Sequence, residues 1–353
     1  MKLALIGNWG HHVHVLLETD EMADVTMAAL APGFTGEDLS SLQEKYSDAV
    51  TYDDHRGMLE AVQPDVVIIS TQLDLIPYLA IDAANAGCHS ICDKPLATEH
   101  DALQKLWKAV VANRTQCIAM LSNRNQPVLA YAGNQIKAGR IGEVKLLNAR
   151  KSYKFSNERA AWLRKRSTYG GTIPWIGIHA LDFIDAVTDT SFCSVSAMHA
   201  NAAHPQHPEI EDSCIMNIRC KNGALATASV DYLRPQSANC HGDDWLRIVG
   251  TEGILEVCMD RGQCTIIDSD GHSEIINFDE KQAYYAPLIR IFPKAGTAMP
   301  TEETRRSFNL THVGLCARDA ADTGTIVNDL SGPWIKNQGE NDILVTDILG
   351  TTY

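Results

Sequence analysis

Continuous apolar runs divide the first third of the chain into short segments. They occur at residues 3–7 (LALIG), 25–30 (VTMAAL), 65–71 (DVVIIST), 89–95 (HSICDKP) and 117–121 (CIAML). Strands without polar alternation are typical of a parallel sheet that is covered on both faces. The connections show helical spacing, and LIPYLAIDAANAGC predicts a helix that ends at Gly87. The pattern predicts a Rossmann domain, a doubly wound parallel sheet, over residues 1–122.

The pattern changes after Asn123. VLAYAGNQIKAGRIGEV predicts a helix that stops at Gly139, and polar and apolar residues then alternate in KLLNARKSYKF and over residues 213–233. Alternation is typical of an antiparallel sheet with one covered face, and the Asn-Gly pair at 222–223 is a hairpin signal. A further helix is predicted from about Thr301, and a short apolar run, DILVTDIL, precedes the end. We predict an α/β protein whose C-terminal α/β domain, residues 123–353, carries a large open, mostly antiparallel sheet.

Charge narrows the range of partners. The chain has 353 residues, 45% of them hydrophobic, and 44 acidic against 30 basic residues give a formal net charge of −14. This charge repels nucleic acid and anionic membranes, so neither is expected as a partner. No apolar stretch approaches the roughly 18 residues of a membrane span, and Lys2 leads directly into a strand rather than a signal sequence. We expect a cytoplasmic protein.

The ten cysteines are scattered singly. The closest pairs, Cys88 with Cys92 and Cys258 with Cys264, do not form the CxxC spacing of a zinc site. Buried free thiols in a reducing compartment are therefore expected, and no metal.

The segment IGNWGHHVH predicts a strand, a tight turn and a helix. In the dinucleotide fingerprint GxGxxG, the glycines permit the turn, the approach of the pyrophosphate and close helix packing. Gly7 is either the first of these glycines, with Trp9 and His12 at the others, or the second, with Leu5 before it and Gly10 after it. The second register is favoured because an indole at the approach position would fill the phosphate's space. An ordinary turn that binds no nucleotide is the alternative.

Histidines crowd the same turn. His11, His12 and His14 could suggest a metal, but their spacing does not gather three imidazoles on one helical face. No metal is expected there.

Four motifs in register carry a resemblance to a known family. They are CDKPLA (92–97), RIGEV (140–144), YGGTIPWIGIHALD (169–182) and IVGTEGILEV (248–257). The chain resembles the Gfo/Idh/MocA oxidoreductases, the family of glucose-fructose oxidoreductase and inositol dehydrogenase. The resemblance implies NAD(P)-dependent redox chemistry on a hydroxyl of a sugar, polyol or glycoside. It also implies an open sheet that often mediates assembly, so a homo-oligomer, dimer or tetramer, is expected.

The resemblance places the cofactor, NAD or NADP, along the ends of three strands. The implied cofactor-binding residues are Gly7, Asn8, Trp9, Gly10, His11, Thr71, Asp93, Lys94 and Pro95. Thr71 stands where the family usually shows a Thr-Pro-Asn turn. The acid expected about 20 residues beyond the loop, which would bind the ribose, is absent because the second strand ends in Ala29–Pro32. No arginine for a 2′-phosphate follows, so the choice between NAD and NADP is not readable.

The same resemblance assigns Lys94 and His179 to catalysis. A lysine in a water-poor cleft has a lowered pKa, which suits it to accept the hydroxyl proton as the hydride leaves. The family places an aspartate four residues before the histidine, whereas this chain has Trp175. Lys94 and His179 would then share the acid-base work, with Trp175 as an aromatic plate against a sugar ring. The alternatives are a non-hydride lyase or hydrolase, or a catalytically degenerate sugar-binding protein.

Further residues are candidates for binding a carbohydrate substrate. The predicted set comprises Lys94, Arg124, Tyr153, Trp162, Trp175 and His179. A surface ion pair is an equal alternative for Arg124. The loop HPQHPEIED (204–212) either lines the substrate site or caps the sheet.

Overall fold

The computed structural model describes residues 1–11, 23–188, 191–278, 286–290, 292 and 300–335. Its first sheet contains six parallel strands in the order β3-β2-β1-β4-β5-β6, which is the Rossmann order. The strands are β1 (Lys2–Ile6), β2 (Thr26–Ala31), β3 (Val50–Thr51), β4 (Val66–Ile69), β5 (His89–Cys92) and β6 (Cys117–Ala119). Every residue of β4 is buried, which explains why this strand lacks polar alternation. The predicted parallel sheet is confirmed.

Helices cover both faces of this sheet. Those described are α1 (Ser40–Lys45), α2 (His55–Val62), α3 (Ile76–Asn85) and α4 (His100–Ala112). Helix α3 ends two residues before Gly87, whose φ of +79° lies in the left-handed region that glycine adopts without strain. The helix predicted to end at Gly87 is therefore confirmed.

The second sheet contains eight strands in the order β14-β13-β12-β11-β7-β10-β9-β8. They are β7 (Val144–Lys154), β8 (Phe192–Ala200), β9 (Ser213–Cys220), β10 (Leu225–Arg234), β11 (Gly242–Gly250), β12 (Gly253–Cys258), β13 (Gln263–Asp268) and β14 (Ser273–Asn277). All pairings described are antiparallel except that of β7 with β10. The hairpin at 222–223 joins β9 to β10, as predicted.

The helices that follow residue 122 pack on the second sheet or return to the first. Those described after residue 122 are α5 (Pro127–Lys137), α6 (Arg166–Tyr169), α7 (Ile178–Val187), α8 (Ala286–Arg290) and α9 (Glu302–Thr323). Helix α5 stops just before Gly139, as predicted. A π-helical turn, Ile173–Gly177, leads directly into α7. The apolar run DILVTDIL lies outside the described residues.

Helix α9 connects the two sheets. Its Ser307 hydroxyl accepts the backbone N–H of Ala119 at 3.0 Å, and its Thr311 hydroxyl accepts that of Leu96 at 3.3 Å. Leu288 and Ile289 of α8 pack in a core cluster with residues of β1 and β4. The later part of the chain thus returns to the Rossmann sheet, and the domain limits 1–122 and 123–353 stay a prediction. Within the described ranges, no helix has the length and apolar character needed to cross a membrane.

Candidate active site

The ends of three neighbouring strands bring the first cofactor candidates together. Strands β1, β4 and β5 lie side by side, so the residues that follow them meet at one edge of the sheet. The N–H of Trp9 donates to the carbonyl of Ser70 at 2.9 Å, and the N–H of His11 donates to Oδ2 of Asp93 at 3.0 Å. This is the edge where doubly wound sheets bind ligands.

Both glycines of the first loop are required by the backbone. Gly7 has a φ of +89° and Gly10 a φ of +87°. A Cβ atom at residue 7 would lie 2.4 Å from the carbonyl oxygen of Ser70, and one at residue 10 would lie 1.7 Å from Oδ2 of Asp93. A side chain at either position would push the loop away from the sheet. The glycine register stays a prediction, since residues 12–22 lie outside the described part.

The side chain of Trp9, in the first loop, contacts a second tryptophan. Its ring packs edge-on against that of Trp162, with 5.4 Å between the centroids. Because Trp162 follows β7 in the chain, this contact links the nucleotide loop to the second sheet.

The buried carboxylate of Asp93 contacts both His11 and Lys94. Oδ1 lies 2.9 Å from Nδ1 of His11 and accepts the N–H of Lys94 at 2.8 Å. Burial alone would raise the pKa of Asp93, but the charge and hydrogen bonds of His11, together with Lys94, hold it well below its usual range. An ionised carboxylate therefore stands beside the Lys94 amine.

Lys94 is almost fully enclosed, with 2% of its surface exposed. Its Nζ donates to the carbonyl of Trp175 at 2.8 Å and lies 5.2 Å from the centre of that indole ring. Burial lowers the pKa of Lys94 to about 7; Asp93 opposes the shift, and the charge of Lys151 adds to it. Near neutral pH, a large share of the molecules therefore carries the neutral amine that can accept a proton.

His179 lies on α7, one turn beyond Trp175, and is 4% exposed. Neither ring nitrogen has a hydrogen-bond partner among the residues that the structure describes. Burial, and then the positive charges of Lys94, Lys151 and His11, hold its pKa well below the usual value, so the imidazole is neutral. Its ring centre lies 6.2 Å from that of His11. Buried polar groups are rarely left unpaired, so these two nitrogens mark a place for a polar ligand.

The inner face of the second sheet supplies Lys151, which the sequence analysis missed. Lys151 on β7 pairs with Asp244, its cross-strand neighbour on β11. Its Nζ also lies 4.7 Å from the ring centre of Tyr153. Burial would lower the pKa of Lys151, but Tyr153 and Asp244 raise it above the usual value, so this amine stays charged. The inward position of a lysine in the alternating β7 pattern is the signal that could have identified it.

Two further predicted residues have other partners. Arg124 donates to Oδ1 of Asp182 at 2.6 and 2.9 Å and to Oδ2 of Asp185 at 2.7 Å. It therefore forms an ion pair, as the alternative in the sequence analysis expected, but in a half-buried position. A contact between Arg124 and substrate stays a prediction. The ring of Trp175 lies 5.5 Å from the Arg159 guanidinium as well as 5.2 Å from the Lys94 amine.

The loop at 204–212 is held by hydrogen bonds between one of its side chains and the neighbouring backbone. The carboxylate of Asp212 accepts the N–H groups of Ala202, Ala203 and His204 at 2.7 to 3.1 Å. The ring of His204 stacks on Phe155 with 3.9 Å between the centroids.

Glu37 is the second residue that sequence reasoning missed. Its carboxylate accepts the N–H of Asn8 at 3.0 Å and the N–H of Gly33 at 2.6 Å, and the Thr71 hydroxyl lies 3.4 Å away. An acid therefore stands where the loops after β1, β2 and β4 meet, although none ends β2. An acid placed farther along the chain than the usual spacing, in the segment GEDL, is the signal that could have identified it.

The architecture and this edge define a dinucleotide-binding α/β protein, and comparison with known proteins gives the family. The NAD-binding Rossmann model of the oxidoreductase family matches residues 8–121, and the model of the GFO/IDH/MocA C-terminal domain matches residues 129–256. The chain belongs to the Gfo/Idh/MocA family, and its first domain is the family's NAD-binding domain.

Individual relatives agree with this assignment. A solved structure from Thermotoga maritima, described as an oxidoreductase, is 36% identical with a TM-score of 0.83, covering 93% of this chain and 99% of that one. Levoglucosan dehydrogenase of Pseudarthrobacter phenanthrenivorans is 28% identical over 57% of this chain and 57% of its own length. D-glucoside 3-dehydrogenase of Escherichia coli is 26% identical over 56% of this chain and 61% of its own length. Both curated relatives are thus matched over less than two thirds of their length.

Proposed function

We propose that this protein is an NAD-dependent dehydrogenase that oxidises a ring hydroxyl of a sugar or glycoside. The observation that carries the proposal is the buried imidazole of His179, whose two nitrogens have no partner among the described residues, near the buried amine of Lys94, whose pKa is close to neutral. A hydroxyl can donate to one of these groups and accept from the other. The names of the two curated relatives supply the substrate class.

The residues present fit a nicotinamide cofactor. Gly7 and Gly10 keep the first turn close to the sheet, and Glu37 accepts the N–H of Gly33, two residues beyond β2, the strand whose end carries the family's ribose acid. A bound NAD⁺ would supply the acceptor for the hydride that leaves the carbon carrying the hydroxyl. Lys94 accepts the hydroxyl proton at Nζ, and His179 holds the oxygen. The charges of Asp93 and Lys151 act in opposite directions on the pKa of Lys94. The Trp175 indole offers an apolar face to the sugar ring.

The activity is tested by following NADH formation with a panel of substrates. The panel contains levoglucosan, simple D-glucosides and inositols. We expect oxidation of at least one pyranose compound with formation of one NADH per molecule. Conversion of a substrate without net NADH would favour non-hydride chemistry, and an absence of both turnover and NAD binding would contradict the proposal.

Glu37 favours NAD over NADP. Its carboxylate lies on the side of the loop where the family's ribose acid is expected, and a 2′-phosphate there would meet a like charge. Like charges brought together cost several kcal/mol, so we expect NAD to bind about 100-fold more tightly than NADP. Glu37→Gln should remove most of this preference. The control Glu44→Gln, on the exposed side of α1, should keep it, and equal affinities in the unmodified protein would contradict this role.

The pH dependence of turnover should report Lys94. Because the neutral amine is the proton acceptor, kcat/KM for alcohol oxidation should rise with pH and level off above an apparent pKa near 7. Below that pH the rate should fall about tenfold per pH unit, as expected for loss of a single base. Initial rates measured at fixed ionic strength test this. A rate that stays constant from about pH 5 to about pH 9 would contradict the role of Lys94 as the proton acceptor.

We propose that the outer face of the second sheet forms a homo-oligomer contact. Met198 and Ile215 are cross-strand neighbours on β8 and β9 and are 68% and 54% exposed. Exposed apolar pairs on an open sheet favour association. Ile215→Glu should lower the molecular mass measured by sedimentation. The control Tyr78→Glu, on α3 with the same 54% exposure, should leave the mass unchanged. A monomeric unmodified protein would contradict the proposal.

A further inference from the structure

A second group of chemically active side chains lies away from the substrate cleft, where α4 begins beside α9. His100 is the first residue of α4, while His312 and Cys316 lie one turn apart on α9. One ligand atom from each of the three lies within 4.8 Å of the others. The cleft at Lys94 and His179 uses none of them. The CxxC spacing considered in the sequence analysis cannot detect such a group, because its members come from distant parts of the chain.

The spacing of the group suits a tetrahedral metal once one ring turns. Sγ of Cys316 lies 3.6 Å from Nε2 and 3.9 Å from Nδ1 of His312, so the thiol lies beside the ring, and the ring must turn for one nitrogen and the sulfur to reach the same ion. Zinc bonds of about 2.3 Å to sulfur and about 2.05 Å to nitrogen, at a tetrahedral angle, place those two atoms roughly 3.6 Å apart. The rings of His100 and His312 meet edge to face with 5.3 Å between their centroids. The two imidazoles and the thiol are therefore close enough to share one ion.

A carboxylate lies next to His100, one of the three proposed ligands. Asp319 lies one turn beyond Cys316 on α9, and its Oδ2 is 3.0 Å from Nε2 of His100. A carboxylate in this position orients the ring of a ligating histidine, and its Oδ1 is already paired with Arg318. Residues at spacings of three and four share one helix face, which is why His312, Cys316 and Asp319 are collected on α9.

We propose that His100, His312 and Cys316, with Asp319, form a zinc site. Two imidazoles and one thiolate are a donor set that suits Zn²⁺ better than Mg²⁺ or Ca²⁺, which prefer oxygen. Cys316 is 7% exposed, whereas the side chains of His100 and Asp319 are 33% and 42% exposed, so an ion can enter from solvent.

The protonation states of the ligands agree with this assignment. Burial, and then the neighbouring His100, lower the pKa of His312 to about 4, so its ring is neutral and able to ligate. Burial raises the pKa of Cys316 to about 12, so the thiol holds its proton until a metal displaces it. Zinc binding should therefore release about one proton per site at neutral pH.

The site would brace the loop that carries Lys94. His100 follows Lys94 by six residues, and α9 already holds this loop, since Nη1 of Arg318 donates to the carbonyl of Thr98 at 2.6 Å. A metal shared by α4 and α9 would fasten the loop at a second point. The other clustered ligands in the described ranges, Asp268, Asp270 and His272, are half-buried or exposed at a hairpin turn, where Asp268 accepts backbone N–H groups. They serve here as the control.

Titration of the full chain, stripped of metal with a chelator, tests the proposal. We expect one Zn²⁺ per chain by calorimetry, with proton release, and Co²⁺ should give tetrahedral visible bands and a thiolate charge-transfer band. Cys316→Ser should abolish the charge-transfer band and weaken zinc binding by at least about 100-fold, because loss of a partner that only orients a ligand already costs about 10- to 100-fold. His312→Gln should also weaken it, whereas Cys240→Ser, at an exposed thiol, and His272→Ala should not.

Folding of each variant is checked by circular dichroism. Absence of stoichiometric zinc binding would overturn the proposal, and so would binding that survives both Cys316→Ser and His312→Gln. Loss of binding in His272→Ala alone would place the metal at the hairpin and would also overturn it. Because the readouts are binding and spectra, the result does not depend on the dehydrogenase activity.

Discussion

Replacing Lys94 by methionine should lower kcat about 1,000-fold while NAD still binds, because the residue supplies general-base catalysis and not the nucleotide pocket. The variant should also be at least as stable as the parent. An unfolded lysine keeps its proton up to its ordinary pKa, whereas the folded Lys94 amine loses it at about 7. Between pH 10.5 and about 7, this lysine is protonated in the unfolded chain but increasingly neutral in the folded protein, so Lys94 lowers the free energy of unfolding progressively as the pH falls. Below about pH 7 the full cost is present. A methionine of similar volume removes this cost.

Single-turnover rates, NAD titration and thermal unfolding measure the three quantities separately. Lys108→Met is the matched control, since Lys108 lies on the exposed side of α4 and should change none of them. Full activity in Lys94→Met would remove Lys94 from the chemistry. Loss of NAD binding together with activity would indicate a binding role instead.

Replacing Gly10 by alanine should weaken NAD binding about 100-fold, because a misplacement of about 1 Å at a binding loop is enough for a loss of that size. The backbone at Gly10 has a φ of +87°, and a Cβ atom would lie 1.7 Å from Oδ2 of Asp93. The loop or the carboxylate must therefore move. Either movement disturbs the contacts that His11 makes with Asp93.

Gly87→Ala separates this effect from backbone strain. Gly87 has a φ of +79°, close to that of Gly10, but a Cβ atom there meets no described residue within 4 Å. Both variants should lose about 1 kcal/mol or more of stability from the left-handed backbone, and only Gly10→Ala should lose NAD affinity. Fluorescence titration with NAD measures the difference. Equal affinities in the two variants would show that the first loop does not contact the cofactor.

The fold could be predicted from the sequence because burial leaves a local record. Strand β4 is buried on both faces and therefore consists of four β-branched apolar residues, whereas β9 is covered on one face and alternates. The ends of α3 and α5 were predicted because glycines at positive φ follow them. These signals lie within a few residues of the features that they mark.

The site was only partly predictable, because its missing members are defined by distant contacts. Lys151 reads as a polar position of a strand until the register pairs it with Asp244 on β11. Glu37 lies beyond the spacing at which a ribose acid is sought, and only the folded loop brings it to Asn8. Trp175 was predicted at the site from a substitution in a family motif, and its carbonyl, rather than its indole, accepts the Lys94 hydrogen bond.

A crystal structure of the complex with NADH tests the central claim most directly. We predict that the nicotinamide ring lies next to the cleft that holds Nζ of Lys94 and the imidazole of His179, leaving the space between those two groups for the substrate hydroxyl, with the adenosine ribose next to Glu37. A nicotinamide ring bound elsewhere, or a cleft that takes up no NADH at saturating concentration, would contradict the proposed dehydrogenase.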